Sequence, residues 1–132
     1  MPITMDIREN GWVLYLVLTD PWTVEEMWHF VEENRRYRDQ CPHTVHVCYN
    51  LHDNKYLPPN VLRLSHGAPD VYHPRSGQVV LVGANPTVRS IIEIIFRLVR
   101  YDKFKFFSNE QDAWLYLRDF INPVEATQSA DA

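Results

Sequence analysis

The sequence has few cysteines, no long apolar segment and no excess of basic residues. Its two cysteines, Cys41 and Cys48, are too few for a disulfide framework, so we expect free thiols. The longest unbroken apolar run covers residues 12–18, whereas a membrane helix needs ~20 apolar residues. The first residues also lack the basic start and the apolar stretch of a secretion signal. These absences predict a cytoplasmic protein without a membrane span.

The composition that is present is typical of a soluble globular protein. Apolar residues make up 45% of the 132 residues and charged residues 23%, which suits a single core. Seventeen acidic residues against thirteen basic ones leave a net charge of −4, which disfavours nucleic acid as a partner. We expect one domain over residues 1–121, followed by a small and polar tail over residues 122–132 that is disordered.

Strand patterns alternate with helix patterns along the chain. Runs of alternating or continuous apolar residues predict strands over residues 3–7, 12–18, 44–50, 78–82 and 104–107. The first two strands flank Asn10-Gly11, which favours a two-residue type I′ hairpin. The predicted fold class is therefore α/β: a single domain with a mixed, mostly parallel five-stranded sheet, an antiparallel edge hairpin and about four helices.

Capping signals place the helices between these strands. Thr23 begins a capping box for a helix that ends at Cys41-Pro42, and Asn85 with Pro86 begins a helix that runs to about Tyr101. A second capping box over residues 108–111 begins the last helix, which Asn122-Pro123 ends. Residues 57–66 read as loop plus short helix, and residues 67–77 as an irregular connection.

No residue cluster in the sequence has the spacing of a catalytic or metal site. His46 and Cys48, with Cys41 or His43, offer zinc-binding atoms, but paired ligand knuckles are missing. Ser65 stands next to a histidine without the glycine-flanked turn of a serine hydrolase. We therefore expect no metal, no cofactor and no catalytic residue.

The helix predicted after Pro86 is apolar around more of its surface than one sheet can cover. Its apolar side chains span an arc of about 200°, whereas a helix resting on one sheet needs about 100°. Either a neighbouring helix of the same chain or a partner covers the rest. For the second alternative, we predict self-association through Ile94, Phe96 and Leu98.

The order of these elements resembles the STAS-like family. The resemblance lies in the strand over residues 79–83, the Asn85-Pro86 helix and the closing stretch over residues 107–115. This family includes anti-sigma-factor antagonists and the tails of sulfate transporters, and the closing stretch is most similar to the branch grouped with lipid-transfer-like folds. The resemblance covers about residues 3–121 and implies a STAS-like fold.

The resemblance also implies a regulatory site in the loop after the third strand. In antagonists of this class, that loop leads to a phosphorylated serine or threonine, which switches the partner interface. Residues 50–60 contain neither, and Tyr56 is their one residue with a phenol. The usual switch is therefore not expected here, and the loop is predicted to bind a partner through Asp53, Asn54, Lys55 and Tyr56.

Three functions follow from these observations, in this order. The first is a non-catalytic, STAS-like regulatory module that binds a protein partner or a second copy of itself. The second is a carrier or sensor of a small apolar ligand, sheltered near Trp12, Trp28 and Trp114. The third is an enzyme.

Overall fold

The computed structural model describes residues 2–66 and 73–131, and for residues 122–131 the backbone alone. Five strands form one sheet in the order β1-β2-β3-β4-β5. These strands are β1 (Ile3–Arg8), β2 (Val13–Thr19), β3 (Val45–Asp53), β4 (Ser76–Val82) and β5 (Phe104–Phe107). β1 pairs with β2 antiparallel and the other pairs are parallel. The predicted single α/β domain with a mixed, mostly parallel sheet is confirmed.

In the described residues, a short 3-10 turn (Glu9–Gly11) joins β1 to β2, and four longer helices connect or follow the other strands. They are α1 (Val24–Gln40), a 3-10 helix (Val61–His66), α2 (Pro86–Leu98) and α3 (Glu110–Asp131). Thr23 caps α1 by accepting a hydrogen bond from the Glu26 amide at 3.1 Å, and Asn85 caps α2 by accepting one from Val88 at 2.9 Å. Both predicted starts are confirmed, because each cap satisfies an amide that has no partner inside its own helix.

The two faces of the sheet carry different helices. On one face, α1, the 3-10 helix and α2 pack on β3 through Val45, Val47 and Leu51. On the other face, α3 packs through Ala113, Leu117 and Ile121 against a cluster that includes Cys48. Because successive strand residues point to opposite faces, β3 contributes its odd-numbered side chains to the first layer and its even-numbered ones to the second.

Several predicted boundaries are wrong. The first hairpin turn is longer than two residues, because β1 and β2 pair as far as Arg8 and Val13. The start of α3 differs by one residue from the prediction. The capping residue is Asn109, the second residue of the predicted capping box, and its side chain accepts a hydrogen bond from the Asp112 amide at 2.9 Å. The predicted end of the last helix at Asn122-Pro123 is also wrong, since α3 continues to Asp131.

Two predictions fall on the parts of the chain that are described only partly. An irregular connection was predicted over residues 67–77. Residues 67–72 lie outside the described residues, and the last two residues of the predicted connection are the first two of β4. The disorder predicted for residues 122–132 concerns a segment whose side chains lie outside the described residues, and it stays a prediction. Within the described chain, no helix is both long and apolar enough to cross a membrane.

Candidate functional site

An apolar cavity of about 120 Å³ lies between the sheet and the helices of the first layer. The sheet forms its floor with Leu18, Tyr49, Leu51, Val79 and Leu81. Its walls are Trp22, Met27, Val31, Leu57, Val61, Leu64, Ile92, Ile95, Phe96 and Val99. An enclosed apolar cavity of comparable size, lined by Leu, Ile and Phe side chains, accepts a molecule such as benzene. The present cavity has the size and the lining that suit a compact apolar molecule.

The 3-10 helix holds the two long helices of this layer apart. It packs against both α1 and α2, and its Val61 and Leu64 side chains line the cavity together with Leu57. Leu57 and Leu64 are only half-buried, so the cavity reaches the surface beside them. This packing also explains part of the wide apolar arc of α2, because the 3-10 helix of the same chain covers some of that arc.

Asn54 fixes the loop that leads into this helix. Its side chain is 3% exposed. The amide oxygen accepts a hydrogen bond from Trp22 Nε1 at 2.7 Å, and the amide nitrogen donates to the Leu18 carbonyl at 2.6 Å. The side chain of Asn85 donates in turn to the carbonyls of Asn54 and Lys55. The loop is thus tied to β2, to a cavity wall and to the cap of α2.

These contacts correct one part of the predicted partner-binding loop. Asn54 is a buried positioning residue, so it does not face a partner, whereas Asp53, Lys55 and Tyr56 are exposed. Asp53 is the last residue of β3, which is longer than predicted. Tyr56 is 76% exposed. The accessible part of the predicted loop is therefore Asp53, Lys55 and Tyr56.

The predicted self-association surface on α2 is also divided by the structure. Phe96 is buried, lines the cavity and stacks on Phe104 with a ring separation of 4.5 Å. Ile94 and Leu98 are 43% and 60% exposed. Including Phe96 in that surface is therefore wrong, because the helix turns this ring toward the sheet, while Ile94 and Leu98 remain accessible.

The apolar cavity lies elsewhere than beside the tryptophans near which the sequence suggested a ligand. Trp12 packs on the α3 side of the sheet and stacks on His43 at 3.9 Å, and Trp114 lies on that side too. The cavity is on the opposite side, where Trp22 forms part of its wall. Trp28 does not line it. The sequence pattern did not indicate which of the tryptophans lines a cavity.

The candidate zinc ligands Cys41 and Cys48 lie on opposite faces of the sheet, and the candidate nucleophile Ser65 is bonded to a backbone carbonyl. Cys41 belongs to the core of the α1 and α2 layer, whereas Cys48 lies on the α3 side. Burial raises the pKa of the Cys48 thiol to about 12, so it is protonated and a poor ligand or nucleophile at neutral pH. The Ser65 hydroxyl donates to the Leu62 carbonyl at 2.8 Å. The described residues contain no group of three or more potential metal ligands.

A polar cluster on the α3 side was not predicted from the sequence. The Glu110 carboxylate accepts hydrogen bonds from the Tyr15 hydroxyl at 2.8 Å and the Asn50 amide at 2.9 Å. It also accepts one from Trp114 Nε1 at 3.2 Å, and the Arg8 guanidinium lies over the Tyr15 ring at 4.1 Å. The one available signal was a polar residue, Asn50, on the strand face that also carries the buried His46 and Cys48.

This cluster anchors α3 and contains no activated nucleophile. Burial has the largest effect on the pKa of the Tyr15 phenol and raises it; the hydrogen bond from Asn50 lowers it, and the hydrogen bond and charge of Glu110 raise it, so that the net shift is upward. Tyr15 is therefore a hydrogen-bond donor to the carboxylate at neutral pH. Since three neutral donors satisfy Glu110, the arrangement fixes the first turn of α3 on the sheet.

Comparisons with known proteins leave the family open. No protein-family model matches the sequence, and no curated protein matches it. The fold and the cavity define the class: an α/β domain with an apolar cavity between its sheet and one layer of helices.

Proposed function

We propose that this protein is a non-catalytic, STAS-like binding module that holds a small apolar molecule in its cavity, as a carrier or sensor. The cavity is the observation that carries this proposal. The apolar walls of this cavity of about 120 Å³ lack packing partners on the cavity side. A ligand that fills it restores the missing contacts, so occupancy and stability are coupled.

The walls restrict the class of ligand. Among the described residues, no charged side chain lines the cavity, and the one indole N–H that they place there, that of Trp22, already donates to Asn54. Tyr49 contributes the other polar side chain of the described lining, and all the remaining lining residues are apolar, so recognition would depend mainly on shape and apolar area. A benzene-sized molecule or the end of an aliphatic chain fits these conditions, with any polar group of the ligand near the half-buried Leu57 and Leu64.

The absence of catalysis in this proposal is supported by the state of the candidate nucleophiles. Cys48 and Tyr15 both have raised pKa values because they are buried. An activated nucleophile needs a lowered pKa or an adjacent base that takes its proton. The Glu110 carboxylate beside Tyr15 is already engaged by Asn50 and Trp114.

Binding of a protein partner is the second candidate, although the sequence placed it first. The exposed side chains of Ile94 and Leu98 on α2 support it, because an exposed apolar strip on a helix is typical of an interface. A STAS-like regulatory role fits this surface as well. We place partner binding after ligand binding because two of the predicted partner-contact residues, Asn54 and Phe96, are buried.

The ligand proposal is tested by titrating the protein with toluene and with octanoate in a calorimeter. We expect at least one probe to bind with one-to-one stoichiometry and to raise the melting temperature. Ile95→Trp fills the cavity and Leu64→Trp blocks its opening, so each should weaken binding at least about tenfold, or 1.4 kcal/mol.

Leu115→Trp is the matched control, because Leu115 is exposed on α3, on the other side of the sheet. This variant should bind as the parent does. The proposal is wrong if neither probe binds to the parent, or if all three variants bind as tightly as the parent does.

A further inference from the structure

β5 presents a free edge in the described part of the chain. Its backbone pairs with β4 through the carbonyls of Lys103 and Phe107, which accept from Val79 at 2.8 Å and from Gly83 at 2.9 Å. Since peptide groups alternate in direction along a strand, those of Phe104 and Phe106 point away from β4. They form a row of donors and acceptors that another extended chain can pair with.

An open groove of about 610 Å³ lies beside this edge, between the end of α2 and β5. Two exposed arginines, Arg97 and Arg100, line it together with the carboxylates of Glu93 and Asp102. Glu93 is paired with Arg89 at 3.2 Å. Within the residues that the structure describes, neither Arg97 nor Arg100 forms an ion pair.

Arg100 occupies a backbone position that favours glycine. Its φ is 57°, and it follows α2 in a C-terminal motif in which the Tyr101 amide donates to the Phe96 carbonyl at 3.0 Å. The left-handed residue of this motif is usually glycine, because a side chain makes the conformation unfavourable. The groove thus carries a cation at a position where a smaller residue would fold more easily.

The charge of this region is opposite to that of the whole chain. Residues 86–107 contain five basic residues (Arg89, Arg97, Arg100, Lys103 and Lys105) and two acidic ones (Glu93 and Asp102), whereas the chain has a net charge of −4. Because Glu93 is paired with Arg89, the groove holds Arg97 and Arg100 against one remaining carboxylate, that of Asp102, and this local excess of positive charge attracts negative charge.

We propose that the free edge of β5 and the adjacent groove bind an extended acidic segment of a partner protein. The segment adds a strand to the sheet by pairing with the backbone of Phe104 and Phe106, and its carboxylates accept hydrogen bonds from Arg97 and Arg100. This inference does not depend on the cavity ligand, because it concerns a different surface.

A peptide fits this surface better than a single-stranded nucleic acid does. Nucleic-acid binding of that kind uses free aromatic faces on which bases stack. Here Phe104 stacks on Phe96, and the Arg89 guanidinium lies over the Phe106 ring at 4.8 Å. The Lys105 ammonium, which could block the edge, lies over the rings of Phe107 and Tyr116 on the α3 side.

Fluorescence anisotropy with a labelled peptide of alternating glutamate and valine tests the proposal. We expect binding that weakens with added salt, as charge pairing requires. A peptide with lysine in place of glutamate tests the charge, and a peptide methylated on alternate backbone nitrogens tests the strand pairing. Each should bind at least about tenfold more weakly than the glutamate peptide.

The protein variant is Arg97→Ala combined with Arg100→Gly, which should lower the affinity at least about tenfold. Because glycine suits position 100, melting temperature should not fall, so a loss of binding reflects the groove rather than the fold. Arg35→Ala combined with Arg36→Ala removes the same charge from α1 and should leave the affinity unchanged. The proposal is overturned if the glutamate peptide does not bind, if the methylated or lysine peptide binds equally, or if an oligothymidylate binds more tightly.

Discussion

His46 is a buried histidine whose ring already has a partner. It is 4% exposed, and its Nδ1 accepts a hydrogen bond from the Gln78 amide at 2.8 Å. Protonation at Nδ1 would break this bond and place a charge in the core. Burial, together with smaller electrostatic contributions from Arg38, His43 and Lys103, lowers the pKa of His46 from 6.5 to about 4.

The sign of the resulting pH dependence follows from proton uptake by the unfolded chain. Below pH 6.5 the unfolded chain binds a proton at this residue, and the folded chain does so only near pH 4. Stability is therefore fully present above about pH 6.5 and falls as the pH decreases toward 4, by about 3 kcal/mol in total.

Urea unfolding of the parent and of His46→Gln, measured across this pH range, checks the prediction. Glutamine keeps an acceptor for the Gln78 amide but does not titrate, so the variant should lose about 2–3 kcal/mol less than the parent. His29→Gln, at an exposed position on α1, should behave as the parent does. Equal losses in the parent and in His46→Gln would contradict the assignment.

Among the elements, those governed by local signals were predictable from the sequence. The starts of α1 and α2 are set by Thr23 and Asn85, each of which caps an amide three residues further on. The hairpin turn was not predictable in the same way. There the Tyr37 hydroxyl, from α1, donates to the Gly11 carbonyl at 2.6 Å, so a distant element influences the local backbone.

The cavity could not be predicted because its lining comes from separate elements. Its walls join β2, β3 and β4 with three helices and the residues between them. The key polar contact joins Trp22 to Asn54, and neither residue has a sequence signal that relates it to the other. A pattern along one element shows which face is apolar, but not whether the facing elements fill the space between them.

Asn54→Ala tests the importance of the loop before the 3-10 helix. The change leaves the Trp22 N–H and the Leu18 carbonyl without their hydrogen bonds in a buried place. Each unsatisfied group costs about 1–3 kcal/mol, so we expect a loss of about 2–4 kcal/mol in the free energy of unfolding. Urea denaturation gives this value. Asp53→Ala, at the exposed neighbouring position, should lower the free energy of unfolding by less than about 0.5 kcal/mol. A similar loss in both variants would contradict the positioning role of Asn54.

The whole molecule has two layers that differ in their exposed apolar residues. On the cavity side, Ile94 and Leu98 of α2 are exposed. On the other side, α3 is anchored through Glu110 and exposes Leu115 and Phe120. A dimer with two-fold symmetry uses the same patch on both copies, so each apolar contact occurs twice. If α2 forms the interface, a ligand in the cavity lies directly behind the α2 helix that the partner touches.

Size-exclusion chromatography with light scattering tests this interface on the intact chain. We expect a dimer whose mass falls to that of a monomer in Ile94→Glu and in Leu98→Glu, because the symmetric contact brings two carboxylates together where apolar groups were buried. Leu115→Glu adds the same charge on α3 and should leave the dimer intact. A parent that stays monomeric at all concentrations, or a dimer broken by Leu115→Glu alone, would rule out the α2 surface. The cavity proposal would be unaffected, since its lining residue Phe96 faces the sheet and not the partner.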